Sequence, residues 1–183
     1  MGSFLSGACK DSGNQKIKIF VMGTNGSGKT KLLCKLMNAE NLPTIPTIGF
    51  NIQTVKYKTL QLEMWDTGGN NREMFFDTLY RQYFHDTQGI IFVVDSNDTT
   101  SLDDARDELQ KLLKEDELRE TSLLIYANKQ DLPDAVQPDK LVARLGLAEV
   151  KNRKWFMTKA CAITGDGLQS GLEWLEQQIN HKK

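Results

Sequence analysis

The sequence predicts an α/β fold with a mostly parallel sheet, and three observations predict it. Residues 17–22 alternate apolar and polar side chains and then turn apolar. A glycine-rich loop follows, and residues 31–37 carry apolar side chains at the 3.6-residue period of a helix. Further along, the apolar runs 90–94 and 123–127 read as buried strands, with the amphipathic helical stretch 99–114 between them. Strands that alternate with helices in this way pair in parallel through crossover helices.

At 183 residues the chain fits one domain with a core of reasonable size. Lys plus Arg number 23 and Asp plus Glu 24, so no global basic field exists, which argues against a nucleic-acid partner held by bulk charge. Cys9, Cys34 and Cys161 are widely spaced without a C-x-x-C, as in a cytoplasmic protein with reduced thiols. No apolar run approaches the ~18 residues of a membrane-spanning helix, and the N-terminus lacks the apolar stretch of a secretion signal.

Taken in order, Met1-Gly2-Ser3-Phe4-Leu5-Ser6 fits M-G-x-x-x-[ST], the acceptor pattern for N-myristoylation at Gly2. One acyl chain binds membrane only marginally and reversibly, so a second contact is needed; Phe4, Leu5 and an acylated Cys9 are available for it. Residues 10–15 are polar and read as a linker. Gly23-Thr24-Asn25-Gly26-Ser27-Gly28-Lys29-Thr30 then fits the phosphate-loop pattern G-x-x-x-x-G-K-[ST], between a strand and a helix as that motif requires. Its glycines let successive N–H groups turn inward around an anion, and the helix N-terminus adds a positive dipole end. Lys29 is expected to reach the β- and γ-phosphates and the Thr30 hydroxyl to ligate Mg²⁺.

Residues 41–49, with Pro43, Pro46 and Gly49, read as a loop, and Thr47 is a candidate second hydroxyl ligand for the metal. The alternating runs 50–55 and 60–65 read as a hairpin at a sheet edge, turning near Tyr57-Lys58-Thr59. Asp66 ends the second run, where a carboxylate can hold Mg²⁺ through water. The pair Gly68-Gly69 can swing a backbone N–H toward a γ-phosphate and so couple the nucleotide to the following segment. Asp95, at the end of run 90–94, is the rival metal residue; the glycine pair favours Asp66 and leaves Asp95 a structural role.

In helix 99–114, Thr100 or Ser101 is the candidate cap, Asp103 and Asp104 occupy the first turn, and Leu102, Ala105, Leu109, Leu112 and Leu113 form the inner stripe. Asn128-Lys129-Gln130-Asp131 follows the strand 123–127 and fits N-K-x-D. Guanine presents N1–H and N2–H₂ as adjacent donors, and one carboxylate, Asp131, accepts both; adenine has no such pair. The Lys129 stem can lie over the ring, and Asn128 can tie this loop to the phosphate loop. Pro138 opens a short helix that ends at Gly146, residues 155–161 form a last strand, and 167–180 close the fold as a helix with Leu168, Leu172, Leu175 and Ile179 inward. His85 and His181 read as surface residues.

The phosphate loop, Pro46-Thr47-Ile48-Gly49-Phe50-Asn51, Trp65-Asp66-x-Gly68-Gly69, Val93-Val94-Asp95-Ser96-Asn97-Asp98, Asn128-Lys129-Gln130-Asp131-Leu132-Pro133 and Cys161-Ala162 together resemble the Arf family of small GTPases, in order and at family spacing from Lys16 to Asn180. The resemblance implies a P-loop small-GTPase fold: six strands, mostly parallel with one antiparallel edge strand, helices on both faces, and the phosphate site at the C-terminal strand ends. It divides the chain into an N-terminal membrane-anchoring segment, 1–15, and a GTPase domain, 16–183. It implies GTP/GDP and Mg²⁺ as ligands, contacts from residues 23–31, including Lys31, and a Cys161-Ala162 loop whose Ala162 N–H meets the guanine carbonyl. Gly69 would contact the γ-phosphate, and Phe50, Trp65 and Tyr83 match aromatic positions that effectors contact.

The sequence departs from the family at three places. The family's water-positioning Gln is Asn70 here, one methylene shorter; the stretch from Asn70 to Phe84 is longer than the family's; and Lys31 stands where a second Thr is usual. The implied function is a monomeric switch that hydrolyses GTP slowly, with Lys29, Gly69 and Asn70 at the reacting phosphate and an arginine supplied by an activating protein. Its other partners would be an exchange factor and GTP-state effectors such as coats or tethers, on Golgi or endosomal membrane through the myristoyl group. The alternative is a GTP-binding recruitment module that barely hydrolyses, because of Asn70. A phosphate-loop nucleotide kinase is a third reading, but no basic lid or substrate site is visible.

Overall fold

The arrangement of strands follows from which residues alternate and which do not. The computed structural model describes residues 17–38, 51–58, 60–66 and 84–181, with the backbone alone at 51–53, 55 and 64–66. Six strands form one sheet in the order β2-β3-β1-β4-β5-β6: β1 (Ile17–Met22), β2 (Asn51–Tyr57), β3 (Leu60–Asp66), β4 (Thr87–Asp95), β5 (Ser122–Asn128) and β6 (Trp155–Lys159). Only β2 and β3 pair antiparallel, at one edge; all other pairings are parallel. Among the described residues four α-helices, α1 (Lys29–Met37), α2 (Leu102–Leu113), α3 (Pro138–Arg144) and α4 (Leu168–Asn180), cover the faces.

The central strands are apolar on both faces, and alternation sorts their side chains into two cores. Ile19, Val21, Ile91, Val93, Leu124 and Tyr126 point to the face closed by Leu32 and Leu33 of α1 and by Leu172, Leu175 and Ile179 of α4. Phe20, Met22, Ile90, Phe92, Val94, Leu123 and Ile125 point to the other face, closed by Leu102, Ala105, Leu109 and Leu112 of α2 and Leu141 of α3. The centre of the sheet is thus covered on both sides, and the polar ends of β4 and β5, Asp95 and Asn128, with the loop after β1, are what remains to build a site.

Several boundaries differ from the sequence reading, β4 starting as early as Thr87, and four of the differences have a local reason. Strand β2 runs on to Tyr57, which pairs with Leu60, so the hairpin turns in two residues with Lys58 at φ 52, the left-handed geometry that suits the twist of a tight hairpin. Helix α2 starts at Leu102 rather than Thr99. The Asp98 carboxylate takes the Thr100 hydroxyl and the N–H groups of Thr100 and Ser101, a local turn that competes with helix. These bonds, the Thr100 hydroxyl first, hold the Asp98 carboxyl below its ordinary range. Ser101 occupies the N-cap, as the sequence reading allowed, but its Oγ donates to Asp98 O and makes no capping bond to the helix. Strand β6 stops at Lys159 because the Cys161 N–H turns away to Asp166 O. Helix α4 starts at Leu168 because Gly167 sits at φ 74, where an added Cβ would lie 1.8 Å from Lys159 O.

One buried polar group locks α4 to the sheet. The Tyr126 hydroxyl donates to Leu168 O at 2.6 Å, and burial pushes its ionisation far up, so it stays a neutral donor. Its ring fills the space a side chain at Gly171 would need, with an added Cβ 2.7 Å from the ring. Tyr126→Phe is expected to lower the unfolding free energy by about 1–2 kcal/mol in urea titration. Gly171→Ala is expected to destabilise the fold further, because the ring it would displace has no free volume to enter.

Candidate nucleotide site

The order of strands places the site. From β1 the chain continues to one side of the sheet, into β2 and β3, and then returns to the other side, into β4. Connections leave the sheet in opposite directions at this point, and the crevice beyond the C-terminal ends of β1 and β4 is where open α/β sheets bind ligands. Among the described residues four loops meet there: 23–28 after β1, the turn after Asp95, the loop after Asn128, and the loop after β6.

The first loop is shaped by two glycines with no alternative. At Gly23 (φ 142) an added Cβ would lie 2.1 Å from Val93 O of β4, and at Gly28 (φ 96) 2.3 Å from the Asn128 amide nitrogen. The loop is thus drawn against both neighbouring elements. Gly28 is the N-cap of α1, whose first turn, Lys29-Thr30-Lys31, holds no carboxylate, so the positive end of the helix is not neutralised by its own side chains. Lys29 is buried, and its ammonium donates to Gly23 O at 2.6 Å and Thr24 O at 2.9 Å, bringing a full positive charge inside the loop. Thr24 and Ser27 are 1% and 0% exposed, and their hydroxyls have no hydrogen-bond partner among the described residues. Asn25 and Gly26 are exposed at the loop's crest, and Thr30 is exposed at the head of α1.

The Asn128 side chain joins three of the four loops, and its backbone carbonyl accepts the Ser96 N–H of the fourth at 3.1 Å. The side-chain amide N–H donates to Ser27 O at 2.7 Å, and Oδ1 accepts the Ala162 N–H at 2.9 Å, both buried. The tie to the phosphate loop matches the sequence reading. The bond to Ala162 was not foreseen: the N–H that the resemblance assigns to a guanine carbonyl already has an acceptor here, which a base carbonyl would share or displace. Lys129 follows at φ 64, with its ammonium bonded to Asp95 Oδ2. Asp95 Oδ1 accepts the Asn97 N–H at 3.0 Å, so both oxygens serve the protein, in keeping with a structural role for Asp95.

Between these loops lies a cleft of about 190 Å³, lined by Gly28, Lys31, Asn128, Lys129, Asp131, Leu132, Ala162 and Ile163. Asp131 is exposed at its wall, as a carboxylate awaiting donors would be. Cys161 stands behind the lining, buried, where its Sγ accepts the Thr164 N–H at 3.4 Å and its carbonyl the Gly165 N–H at 2.8 Å. Leu132 and Ile163 were missed by the sequence reading. They are 38% and 64% exposed, and both line the cleft, so part of its wall is exposed apolar surface. The only signal in the sequence was adjacency, Leu132 to Asp131 and Ile163 to Ala162.

Of the remaining sequence-predicted residues, Gly2, Cys9, Thr47, Phe50, Gly69, Asn70 and Tyr83 lie outside the described residues, and Trp65 and Asp66 are described as backbone at the end of β3. Among the described residues no group of three or more His, Cys, Asp or Glu is placed to hold a metal, and no helix is long and apolar enough to cross a membrane.

Fold and site together define a P-loop small GTPase. The chain belongs to the ADP-ribosylation factor family, whose model matches residues 4–179. Among solved structures it is similar to the small GTPase Arl6 (BBS3) of Trypanosoma brucei with the bound nucleotide analogue GppNp. The two share 25% identity and superpose with a TM-score of 0.77, over 92% of this chain and 99% of that one.

Asn128→Ala would leave Ala162 N–H and Ser27 O without their partners. It is expected to cost about 2–3 kcal/mol of stability by thermal unfolding, more than a surface Asn→Ala, because two buried backbone groups lose hydrogen bonds together.

Proposed function

We propose that this chain is a GTP/GDP-switched regulator that recruits effectors to membranes and hydrolyses GTP slowly. Proteins of its family are generally GTP hydrolases that bind GTP or GDP with Mg²⁺. The observation that carries the reading is the Asn128 bridge, which joins the phosphate loop to the loops that would frame a base. Phosphates would lie on the N–H groups of 24–30, with Lys29 exchanging its two carbonyl contacts for phosphate oxygens and spreading positive charge where the transition state is most negative. Asp131 would accept the paired donors of guanine, and Leu132 and Ile163 would cover the ring.

The donor set fits Mg²⁺. That ion keeps several waters and is held by few protein oxygens together with substrate phosphates, and the hydroxyl-bearing Thr30 stands exposed at the head of α1 beside the phosphate loop. Thr30 and Thr47 would hold the ion, with Asp66 through water, and when bound it supplies charge that steadies the β- and γ-phosphate oxygens. Gly69 would report the γ-phosphate to the segment after it, so that Phe50, Trp65 and Tyr83 present a GTP-dependent surface to coats or tethers. An exchange factor and an activating protein would set the state. A myristoyl group on Gly2 would bring the chain to the cytosolic face of Golgi or endosomal membrane.

One feature favours a second reading, a recruitment module that binds GTP and hardly turns it over. Asn70 replaces the water-positioning Gln, and its amide sits one methylene closer to the backbone. Single-turnover hydrolysis separates the two. A switch is expected to be accelerated about a thousandfold or more by an activating protein, and Asn70→Gln is expected to raise the rate. If no activating protein stimulates hydrolysis, the module reading replaces the switch; if Asn70→Gln changes nothing, Asn70 is not the limiting residue. For the anchor, intact mass after co-expression with a myristoyltransferase is expected to rise by one acyl chain and Gly2→Ala to abolish the rise; an unchanged mass contradicts the lipid assignment.

A further inference from the structure

Asp95 is not in the lining of the cleft, but it is bonded to a residue that is, Lys129. Asp95 closes β4, its side chain is 10% exposed, and it pairs in register with Asn128 at the end of β5. The residue after Asn128 therefore leaves the sheet beside Asp95. Lys129 does so at φ 64, a conformation that L side chains rarely adopt, held in place by the Asn128 bonds to Ser27 O and Ala162 N–H. Its ammonium is tethered to Asp95 Oδ2, 34 positions earlier in the chain. Backbone and ammonium are thus both pinned, and the four-carbon stem is stretched between them along the wall of the cleft.

We propose that Asp95 is a positioning residue for the base. By holding the Lys129 ammonium it sets the aliphatic stem as an apolar surface against which the purine ring packs. An untethered lysine would have to give up its rotamer freedom when nucleotide binds; the ion pair removes that freedom beforehand. The pair is itself well made, because Asp95 Oδ1 is held by the Asn97 N–H and the carboxylate cannot rotate away. The proposal deepens the guanine-nucleotide reading of the cleft and rests on it.

Asp95→Asn keeps an acceptor for Asn97 and loses the charge that holds Lys129. Release of a fluorescent GDP is expected to be about tenfold faster in this variant, as for the loss of one charge-assisted hydrogen bond. Because Asp95 acts through Lys129, Asp95→Asn is expected to add no further acceleration in a Lys129→Met background. A general structural role would instead make the two effects multiply; that result, or an unchanged rate in Asp95→Asn, overturns the proposal. A second readout needs no nucleotide. Reductive methylation of Lys129, followed by mass spectrometry, is expected to be slower in the wild-type chain than in Asp95→Asn, and equal labelling contradicts the tether. Should Asp95→Asn fail to fold, Lys129→Arg is expected to retain slow release and Lys129→Met to lose it, and equal rates overturn the proposal. A wild-type chain that binds no guanine nucleotide removes the parent reading and this proposal with it. Wild-type binding with unchanged Asp95→Asn release removes the proposal alone.

Discussion

The site depends on one side chain amide. Asn128 ends β5 at the depth where the phosphate loop bends past it, and its side-chain amide has a donor end and an acceptor end facing different loops. The donor goes to Ser27 O and the acceptor to Ala162 N–H. Both bonds are buried, where an unmade partner is costly. The consequence is that three loops, separated widely in sequence, hold one relative position before any ligand arrives. Gly28 has no Cβ because that amide occupies the space a Cβ would fill.

Around this bridge the chemistry separates into two halves. The phosphate half is made of backbone: glycines, a helix end without a carboxylate in its first turn, and the Lys29 charge drawn inside by two carbonyls. In the proposed reading the base half is made of side chains: Asp131, Leu132, Ile163 and the Lys129 stem, which line the same cleft. The first half is indifferent to the base, and the second half has no means to hold phosphate. Asn128 couples them, so that binding energy gained at one end is not lost to loop motion at the other.

Much of this was legible in the sequence because the motifs are local. The phosphate loop advertises itself through Gly23, Gly28, Lys29 and Thr30 at fixed spacing, and the doubly apolar strands 90–94 and 123–127 could be satisfied only by helices on both faces. What stayed hidden is pairwise and distant. Nothing near Asp95 indicates Lys129, and nothing near Asn128 indicates that its oxygen takes the Ala162 N–H. Leu132 and Ile163 are ordinary apolar residues until the fold sets them on the rim of a cleft. The cap of α2 falls on Ser101, one of the two residues the sequence offered, but its Oγ donates to Asp98 O and makes no bond to the helix N–H groups, which residue type alone does not indicate.

The central claim is that a preassembled cleft selects guanine through Asp131 while the phosphate loop grips the tail. Displacement of fluorescent GDP by unlabelled GTP, ATP and XTP, in the wild-type chain and in Asp131→Asn, tests it most directly. Xanthine replaces the 2-amino donor of guanine with a carbonyl, which an asparagine amide can meet and a carboxylate cannot. The account predicts that the wild-type chain prefers GTP over both competitors and that Asp131→Asn shifts the preference toward XTP. Equal displacement by ATP and GTP in the wild-type chain, or an unaltered preference in Asp131→Asn, would contradict it.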